Sequence, residues 1–445
     1  VKNKVAFGTD GIRGNAEKYP FTDDGLFFMG QAIAKWAIAK FQTEKPVVLI
    51  GADTRISGEK IKKTLAEGLM TFPITILDAG VIPTPAVCRL ASLDKQINFG
   101  IVISASHNPY YDNGIKLFNA ATCKLTSTDE KNIIENFELF TSEENFKKQD
   151  SMSQFKSIPN ALETYEQSLK SFFTPGFLKG LKIVLDCANG ATHKVAPIIF
   201  KDLGAEVITI ANNPTGKNIN DECGALHPDK LVKAVLETKA IAGFAFDGDG
   251  DRLTAVSSAG EVKTGDDVLA ILMQLPQYQN ATKIVGTVMS NQGLEEAVKK
   301  QNKEFIRTSV GDKHIAAKLE EEKLLLGGEP SGHTIMRDYL ATGDGIFVAL
   351  RVLEAMILNK NWEMESFEKF PQILINVPVA NKRDLTQSPF KEIIKEQEER
   401  INGRILVRFS GTENLLRVMT EAKDLQEAKN IAETLANSLK ELLSV

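Results

Sequence analysis

Asp247-Gly248-Asp249-Gly250-Asp251-Arg252 sets three carboxylates at alternate positions, separated by glycines, directly after the apolar run Ala242–Phe246. Carboxylates crowded in this way repel one another unless they share a cation. Oxygen ligands of this kind suit a hard divalent ion. Two other readings fail on spacing. An EF-hand loop starting at Asp247 needs glycine at its sixth position and glutamate at its twelfth, where this chain has Arg252 and Ser258. A dinucleotide-binding G-x-G-x-x-G needs glycine where Leu253 stands. Magnesium completed by a phosphate oxygen fits a three-carboxylate set best, with a solvated acidic turn as the plain alternative.

Three further polar segments share that placement past an apolar stretch, where open α/β sheets bind ligands. Ser104-Ala105-Ser106-His107-Asn108-Pro109 follows Phe99–Ile103. It lacks the G-x-S-x-G elbow of a hydrolase, and Pro109 holds Asn108 out of helix, so the loop presents Ser106 and His107. By itself it also reads as a polar turn with a capping serine. Gly328-Glu329-Pro330-Ser331-Gly332-His333 offers an acceptor, a hydroxyl and an imidazole suited to sugar hydroxyls, or a capped structural turn. Arg408-Phe409-Ser410-Gly411-Thr412-Glu413, with Arg417 beyond it, combines guanidinium, hydroxyls and an open backbone into a phosphate cradle or an ordinary hairpin turn. Arg13, flanked by Gly11 and Gly14, adds a cation that reads equally well as solvated in a surface loop. There is no Walker A pattern to hold a nucleoside triphosphate.

The elements that position these loops repeat three times. An apolar strand runs into a polar turn, a helix-like stretch follows, and a second strand returns, the scale of a βαβ unit. The pairs are Val47–Ile50 with Ile74–Leu77, Ile183–Leu185 with Val207–Ile210, and Ile284–Val288 with Phe305–Arg307. This alternation argues for parallel α/β layers and so for three related α/β domains, with mixed sheets the expectation for each. Ile405–Phe409 and Leu415–Met419 flank the Ser-Gly-Thr turn, and apolar spacing from Ala428 to Leu442 predicts a closing helix. The expected division is residues 1–153 with the serine loop, 154–254 with the acidic loop, 255–368 with the Glu329 loop, and a small α+β domain over 369–445 with the Arg408 loop.

With 445 residues, 43% hydrophobic and 25% charged, the chain is too long for one core and too apolar to be disordered. A net charge of −5 without a basic block argues against nucleic acid as a partner. No apolar run has the length of a membrane span, and the first residues lack a signal peptide's apolar region. Four scattered cysteines without a C-x-x-C pair suit a reducing compartment, so the expectation is a cytoplasmic protein without a membrane partner.

Phe7–Gly14 (FGTDGIRG), Ser104–Pro109 (SASHNP), Asp247–Arg252 (DGDGDR), Glu329–His333 (EPSGH) and Arg408–Thr412 (RFSGT), in this order, resemble the α-D-phosphohexomutase superfamily over essentially the whole chain. FGTDGIRG, Tyr110–Lys116 (YYDNGIK) and the NIN, CG and HP steps between Asn218 and Pro228 are most similar to its branch that interconverts glucosamine 6-phosphate and glucosamine 1-phosphate. That activity supplies the amino sugar of cell-wall precursors. The resemblance implies an isomerase with four domains around a central cleft, each donating one loop.

Matched motif to motif, the resemblance makes Ser106 a phosphoserine and a ligand, with Asp247, Asp249 and Asp251, of one magnesium ion. It assigns Glu329 and Ser331 to the sugar hydroxyls, Arg408, Ser410, Gly411 and Thr412 to the phosphate that is not reacting, and Arg252 and Arg417 to substrate binding. Lys116, Arg13, His107 and His333 fall at positions tied to proton transfer or transition-state charge, with Lys116 the candidate base. The resemblance further implies a phosphosugar substrate, a sugar bisphosphate activator and a homodimer. Asn414 stands where the family's phosphate loop commonly has proline, Ala225-Leu226 where Ser-Thr is usual, and Pro330 where Asn or Gln is common. Competing readings are a sister phosphomannomutase or phosphoglucomutase, a metal-dependent phosphatase, and a phosphosugar-binding regulator.

Overall fold

Val47–Ala52, an uninterrupted apolar strand, pairs in parallel with Thr75–Val81 on one side and Phe99–Ile103 on the other. Such a run has no polar face and needs cover on both sides. The first expected strand pair is therefore realised as a parallel crossover, joined through the helix Gly58–Leu69. The computed structural model describes residues 5–8, 11–142, 154–410 and 414–443. The chain packs as two compact units, Val1–Ala281 with Ser309–Glu365, and Thr282–Thr308 with Ser366–Val445.

In the first unit, a six-stranded sheet runs Ile12–Asn15, Asp112–Asn119, Phe99–Ile103, Val47–Ala52, Thr75–Val81 and Gln154–Ser157. Asp112–Asn119 pairs antiparallel with both of its neighbours, which makes the sheet mixed. Val48, Ile50, Phe99 and Ile101 join Trp36 and Phe137 in the core beneath it, each fully buried side chain contributing about 1.5–3 kcal/mol. The helices Asp23–Phe41 and Gly58–Leu69 cross in backbone contact. A Cβ on Gly68 would lie 2.0 Å from the Phe27 carbonyl oxygen, so only glycine permits that crossing.

A second sheet runs Val262–Lys263, Leu253–Ser257, Ala242–Phe246, Lys182–Asp186 and Glu206–Ile210. Its parallel pair, Lys182–Asp186 with Glu206–Ile210, is the second expected crossover. Ala242–Phe246 and Leu253–Ser257 pair antiparallel, and the acidic loop is the turn between them. The strands Leu326–Gly328 and Thr334–Met336 form a hairpin whose turn is the Glu329 loop.

The second unit holds the third expected crossover, Lys283–Thr287 parallel to Glu304–Thr308. It also holds an antiparallel sheet with Leu415–Ala422 between Gln372–Pro378 and Gly403–Phe409. Leu416, Val418, Leu435 and Leu439 are completely buried where the helix Leu425–Leu443 packs on that sheet. The Arg404 guanidinium joins the two parts of this unit, donating to the Val288 carbonyl at 2.6 Å. Among the described residues, no helix is long and apolar enough to cross a membrane.

Candidate active site

Ser106 follows the strand Phe99–Ile103 and is fully buried in a left-handed backbone conformation, φ +55°. Its amide donates to Ser104 Oγ at 2.9 Å, and that hydroxyl donates to Asp53 Oδ2 at 2.6 Å. Its own hydroxyl donates to Asp247 Oδ2 at 2.5 Å. His107 Nδ1 stands 3.5 Å from the same oxygen. The serine loop and the acidic loop thus meet through a direct, short hydrogen bond.

Asp247, Asp249 and Asp251 are buried, and one ligand oxygen from each lies within 4.8 Å of the others. Burial pushes Asp247 well above the usual carboxylate range, and the neighbouring charges of Asp251 and Asp249 push it further. Burial pushes Asp251 the same way, but Lys116, His333 and Arg252 outweigh it and hold this group well below its ordinary value. Asp249 Oδ1 and Asp251 Oδ1 are buried without a hydrogen-bond partner. Buried acceptors normally have one. Three converging carboxylates with two unsatisfied oxygens fit a divalent cation.

Lys116 comes from the strand Asp112–Asn119 and is 1% exposed. Its Nζ lies 2.7 Å from Asp249 Oδ2 and 2.9 Å from Asp251 Oδ2. Arg13 lies not in a surface loop, the plainer of its two readings, but on the strand Ile12–Asn15, opposite Gly114. A Cβ on Gly114 would lie 3.2 Å from Arg13 Cγ, so the arginine stem lies over a residue that leaves room for it. His107 is pushed down to about 4 by burial, then by the charges of Arg252 and Arg13, which leaves its imidazole neutral near pH 7.

His333 accepts a hydrogen bond on Nε2 from the Gly343 amide at 3.1 Å, and its Nδ1 lies 3.8 Å from Asp251 Oδ1. Burial disfavours the charged imidazole, but Asp251 more than compensates and raises its pKa. The Glu329 loop abuts the acidic loop: Gly332, at φ +92°, would carry a Cβ 2.2 Å from the Leu253 carbonyl oxygen. Glu329 is 6% exposed; its Oε1 accepts from the Gly311 amide at 2.8 Å, and Ser331 Oγ reaches its Oε2 at 3.4 Å. Glu329 is therefore already oriented, by the Gly311 amide and by Ser331 of its own turn.

In the second unit, Arg408 and Arg417 are directly opposed across the antiparallel strands Gly403–Phe409 and Leu415–Ala422. Burial and then the Arg417 charge push Arg408 down from its ordinary value. Like charges facing one another destabilise a sheet, and an anion between them removes that cost. Ser410 is buried, and its carbonyl accepts from Lys382 Nζ at 2.6 Å. Gly411 and Thr412, expected in the same loop, lie outside the described residues.

The chain is 40% identical to phosphoglucosamine mutase of Campylobacter jejuni strain RM1221, over 97% of this chain and 99% of that protein. It is 42% identical to phosphoglucosamine mutase of Haemophilus influenzae strain PittEE, over 99% and 100%. The chain belongs to the phosphoglucosamine mutase family. It is accordingly an isomerase of the intramolecular phosphotransferase type. Residues 4–144, 163–260 and 264–371 match the phosphoglucomutase/phosphomannomutase alpha/beta/alpha domains I, II and III, and 374–438 match the C-terminal domain. A phosphoglucomutase/phosphomannomutase family protein from Burkholderia thailandensis shares the fold at a TM-score of 0.81 and 22% identity, covering 98% of this chain and 96% of that one. So does Aspergillus fumigatus N-acetylphosphoglucosamine mutase, solved with GlcNAc-6P and magnesium, at 0.65 and 16%, covering 98% and 96%.

The structure adds residues to this family site that motif reading did not single out. Arg55 Nε donates to Asp53 Oδ2 at 2.9 Å, and both side chains are fully buried. Its Nη1 donates to the carbonyls of Pro109 and Asp112, and its Nη2 to those of Ser106 and Asn108. Thr84, at the start of the helix Thr84–Leu93, donates to Asp249 Oδ2 at 2.5 Å. Lys382 adds a cation beside Ser410. An Asp-x-Arg step ending the strand Val47–Ala52 was the available signal for Arg55; nothing in the composition marks Thr84 or Lys382.

Proposed function

We propose that the chain interconverts glucosamine 6-phosphate and glucosamine 1-phosphate through a phosphate carried on Ser106. The observation that carries this reading is the Ser106 hydroxyl 2.5 Å from Asp247 Oδ2, inside a three-carboxylate cluster. Ser106 is buried, and its hydroxyl meets a carboxylate set suited to a metal.

Asp247, Asp249 and Asp251 would hold one magnesium ion, with an oxygen of the Ser106 phosphate completing the set. When bound, magnesium supplies charge stabilisation at the phosphoryl group and the departing serine oxygen. Phosphoryl transfer depends mainly on position and neutralised charge, and the remaining work falls to side chains. A sugar hydroxyl attacks phosphorus, the bond from phosphorus to Ser106 Oγ breaks, and the hydroxyl proton passes to Lys116. A lysine accepts that proton only in its uncharged form. Arg13, Arg252 and the neutral His107 line the approach and face the charge on the transferring group. His333, held by Gly343 and Asp251, is the second candidate for moving a proton.

The sugar then carries two phosphates, turns over, and returns the other one to Ser106. A sugar bisphosphate loads the serine at the outset. Glu329 and Ser331 recognise sugar hydroxyls. Arg408, Ser410, Gly411, Thr412 and Arg417 bind the phosphate that stays on the sugar. The paired cations Arg408 and Arg417 support this assignment. The family suggests a cytoplasmic homodimer.

A substrate panel tests the reading. With equal bisphosphate activator, kcat/KM should be highest for glucosamine 1-phosphate among the glucosamine, glucose and mannose phosphates. Preference for a glucose or mannose phosphate overturns the assignment in favour of a sister mutase. Release of inorganic phosphate at the rate of substrate loss overturns it in favour of a phosphatase.

A further inference from the structure

Asn220 belongs to the Asn-Ile-Asn step between Gly216 and Cys223, a segment without a role in the chemistry above. Its side chain leaves that segment. Nδ2 donates to the Ser106 carbonyl at 2.9 Å and to the Asn108 carbonyl at 3.1 Å. Arg55 Nη2 donates to the same two carbonyls, at 2.9 and 2.7 Å. Each oxygen has two lone pairs, so both carbonyls are saturated by this pair of side chains. Because both acceptors are carbonyl oxygens, only the NH₂ end of the amide can face them.

Arg55 and Asn220 reach the loop from different sheets of the first unit. Asn220 is itself left-handed, φ +57°, and its amide donates to the Ala188 carbonyl at 2.9 Å. The two approaches are tied together. The Ile56 amide donates to the Gly216 carbonyl at 2.9 Å, and Thr54 Oγ1 to the Asn189 carbonyl at 2.6 Å. Gly248 closes the enclosure, since a Cβ there would lie 2.6 Å from the Ser106 carbonyl oxygen and 2.8 Å from Asn220 Nδ2.

A serine at φ +55° is in a sparsely populated conformation that persists only where its surroundings over-determine it. In the alternative right-handed conformation, the side chain would leave Asp247. We propose that Asn220 and Arg55 form a double clamp whose function is to hold Ser106 left-handed and aim its Oγ at the acidic cluster. Both are positioning residues: they touch backbone oxygens, not the reacting groups. The clamp makes the geometry of a phosphate carrier in one sheet layer depend on an amide supplied by another. It rests on the phosphoserine reading for one of its three measurements.

Asn220→Gly tests it most cleanly, because glycine keeps the left-handed backbone and removes both donors. Asn220→Asp keeps the shape but sets a carboxylate oxygen against two carbonyls. Asn218→Ala is the control: its side chain bonds only the Thr215 amide and the Asn213 carbonyl. Steady-state kinetics, melting temperature, and the rate of Ser106 phosphorylation by glucose 1,6-bisphosphate, read by intact mass, are measured for each. Misplacing a reacting atom by about 1 Å costs up to a hundredfold in rate. Asn220→Gly should therefore lower kcat by roughly tenfold to a hundredfold with KM little changed, and slow phosphorylation by the same factor. Asn220→Asp should lose more, and Asn218→Ala should keep its kcat. A kcat for Asn220→Gly near that of the unmodified protein overturns the clamp. An equal loss in Asn218→Ala does so as well, since loop order would then be the cause. If unmodified Ser106 takes up no phosphate, the phosphoserine reading fails by itself, and the kcat comparison still decides the clamp.

Discussion

Ser106 Oγ and Asp247 Oδ2 lie 2.5 Å apart although 141 positions separate them in the chain. The hydroxyl is the only group in the serine loop that reaches the acidic cluster by a short hydrogen bond to Asp247, so its removal isolates its chemistry. Ser106→Ala should keep the fold, take up no phosphate from a sugar bisphosphate, and fall to background turnover. Intact mass and a coupled assay read both. Near-normal activity in this variant sinks the carrier mechanism.

Asp249 uses one oxygen for Thr84 and Lys116 and leaves the other buried and unpaired. Asp249→Asn should weaken magnesium binding at least tenfold in calorimetry, since losing even an outer-shell partner of a ligand costs about 10–100-fold. For the unmodified protein, magnesium at a hundred times its Kd should stabilise the fold by about 2.7 kcal/mol and raise the melting temperature. Equal magnesium affinity in the two proteins rules out a ligand role for Asp249.

Lys116 is fully enclosed between Asp249 and Asp251. Lys116→Met keeps the stem and removes the proton acceptor. General-base loss costs about 10²–10⁴-fold, so kcat should fall by that order while KM changes little. A variant altered only in KM places the base elsewhere, with His333 next to be replaced.

Gly68 sits where the helices Asp23–Phe41 and Gly58–Leu69 touch, with no room for a Cβ beside the Phe27 carbonyl. Gly68→Ala should lower stability by about 1–3 kcal/mol through overpacking. The activity of the fraction that remains folded should be unaltered. A melting temperature equal to that of the unmodified protein counts against the backbone contact.

Asp129 accepts hydrogen bonds from Trp36 Nε1, Lys40 Nζ and Thr126. Burial raises its pKa, but Thr126, Lys40 and Trp36 outweigh burial and hold the folded-state value below the ordinary one. A depressed carboxylate stabilises the fold above its unfolded pKa, near 4, and the contribution fades as pH falls through the lower folded value. Asp129→Asn should therefore cost about 2 kcal/mol at pH 7. The gap from the unmodified protein should close below pH of about 4. A gap independent of pH in denaturant titrations contradicts this.

The linear sequence was informative wherever a function is encoded by neighbours in the chain. DGDGDR announces a cation because three carboxylates within five residues cannot escape one another. The parallel strand pairs were legible because a strand buried on both faces must be apolar throughout, as Val47–Ala52 is. The motif order from Gly8 to Ser410 sufficed to indicate the family. Arg13 stayed open between two readings because flanking glycines look like a loop, whereas Gly114 on the partner strand makes room for its stem.

Arg55, Thr84 and Asn220 were hidden for a related reason. Each acts by donating to a carbonyl or carboxylate contributed from more than 50 residues away, and such a bond leaves neither periodicity nor a charge cluster behind. The sequence by itself determined which chemistry is available, because side-chain type and local spacing set charge and ligand class. Only the tertiary structure decided where that chemistry is aimed, because Ser106 owes its left-handed backbone and its line to Asp247 to donors that folding alone brings together.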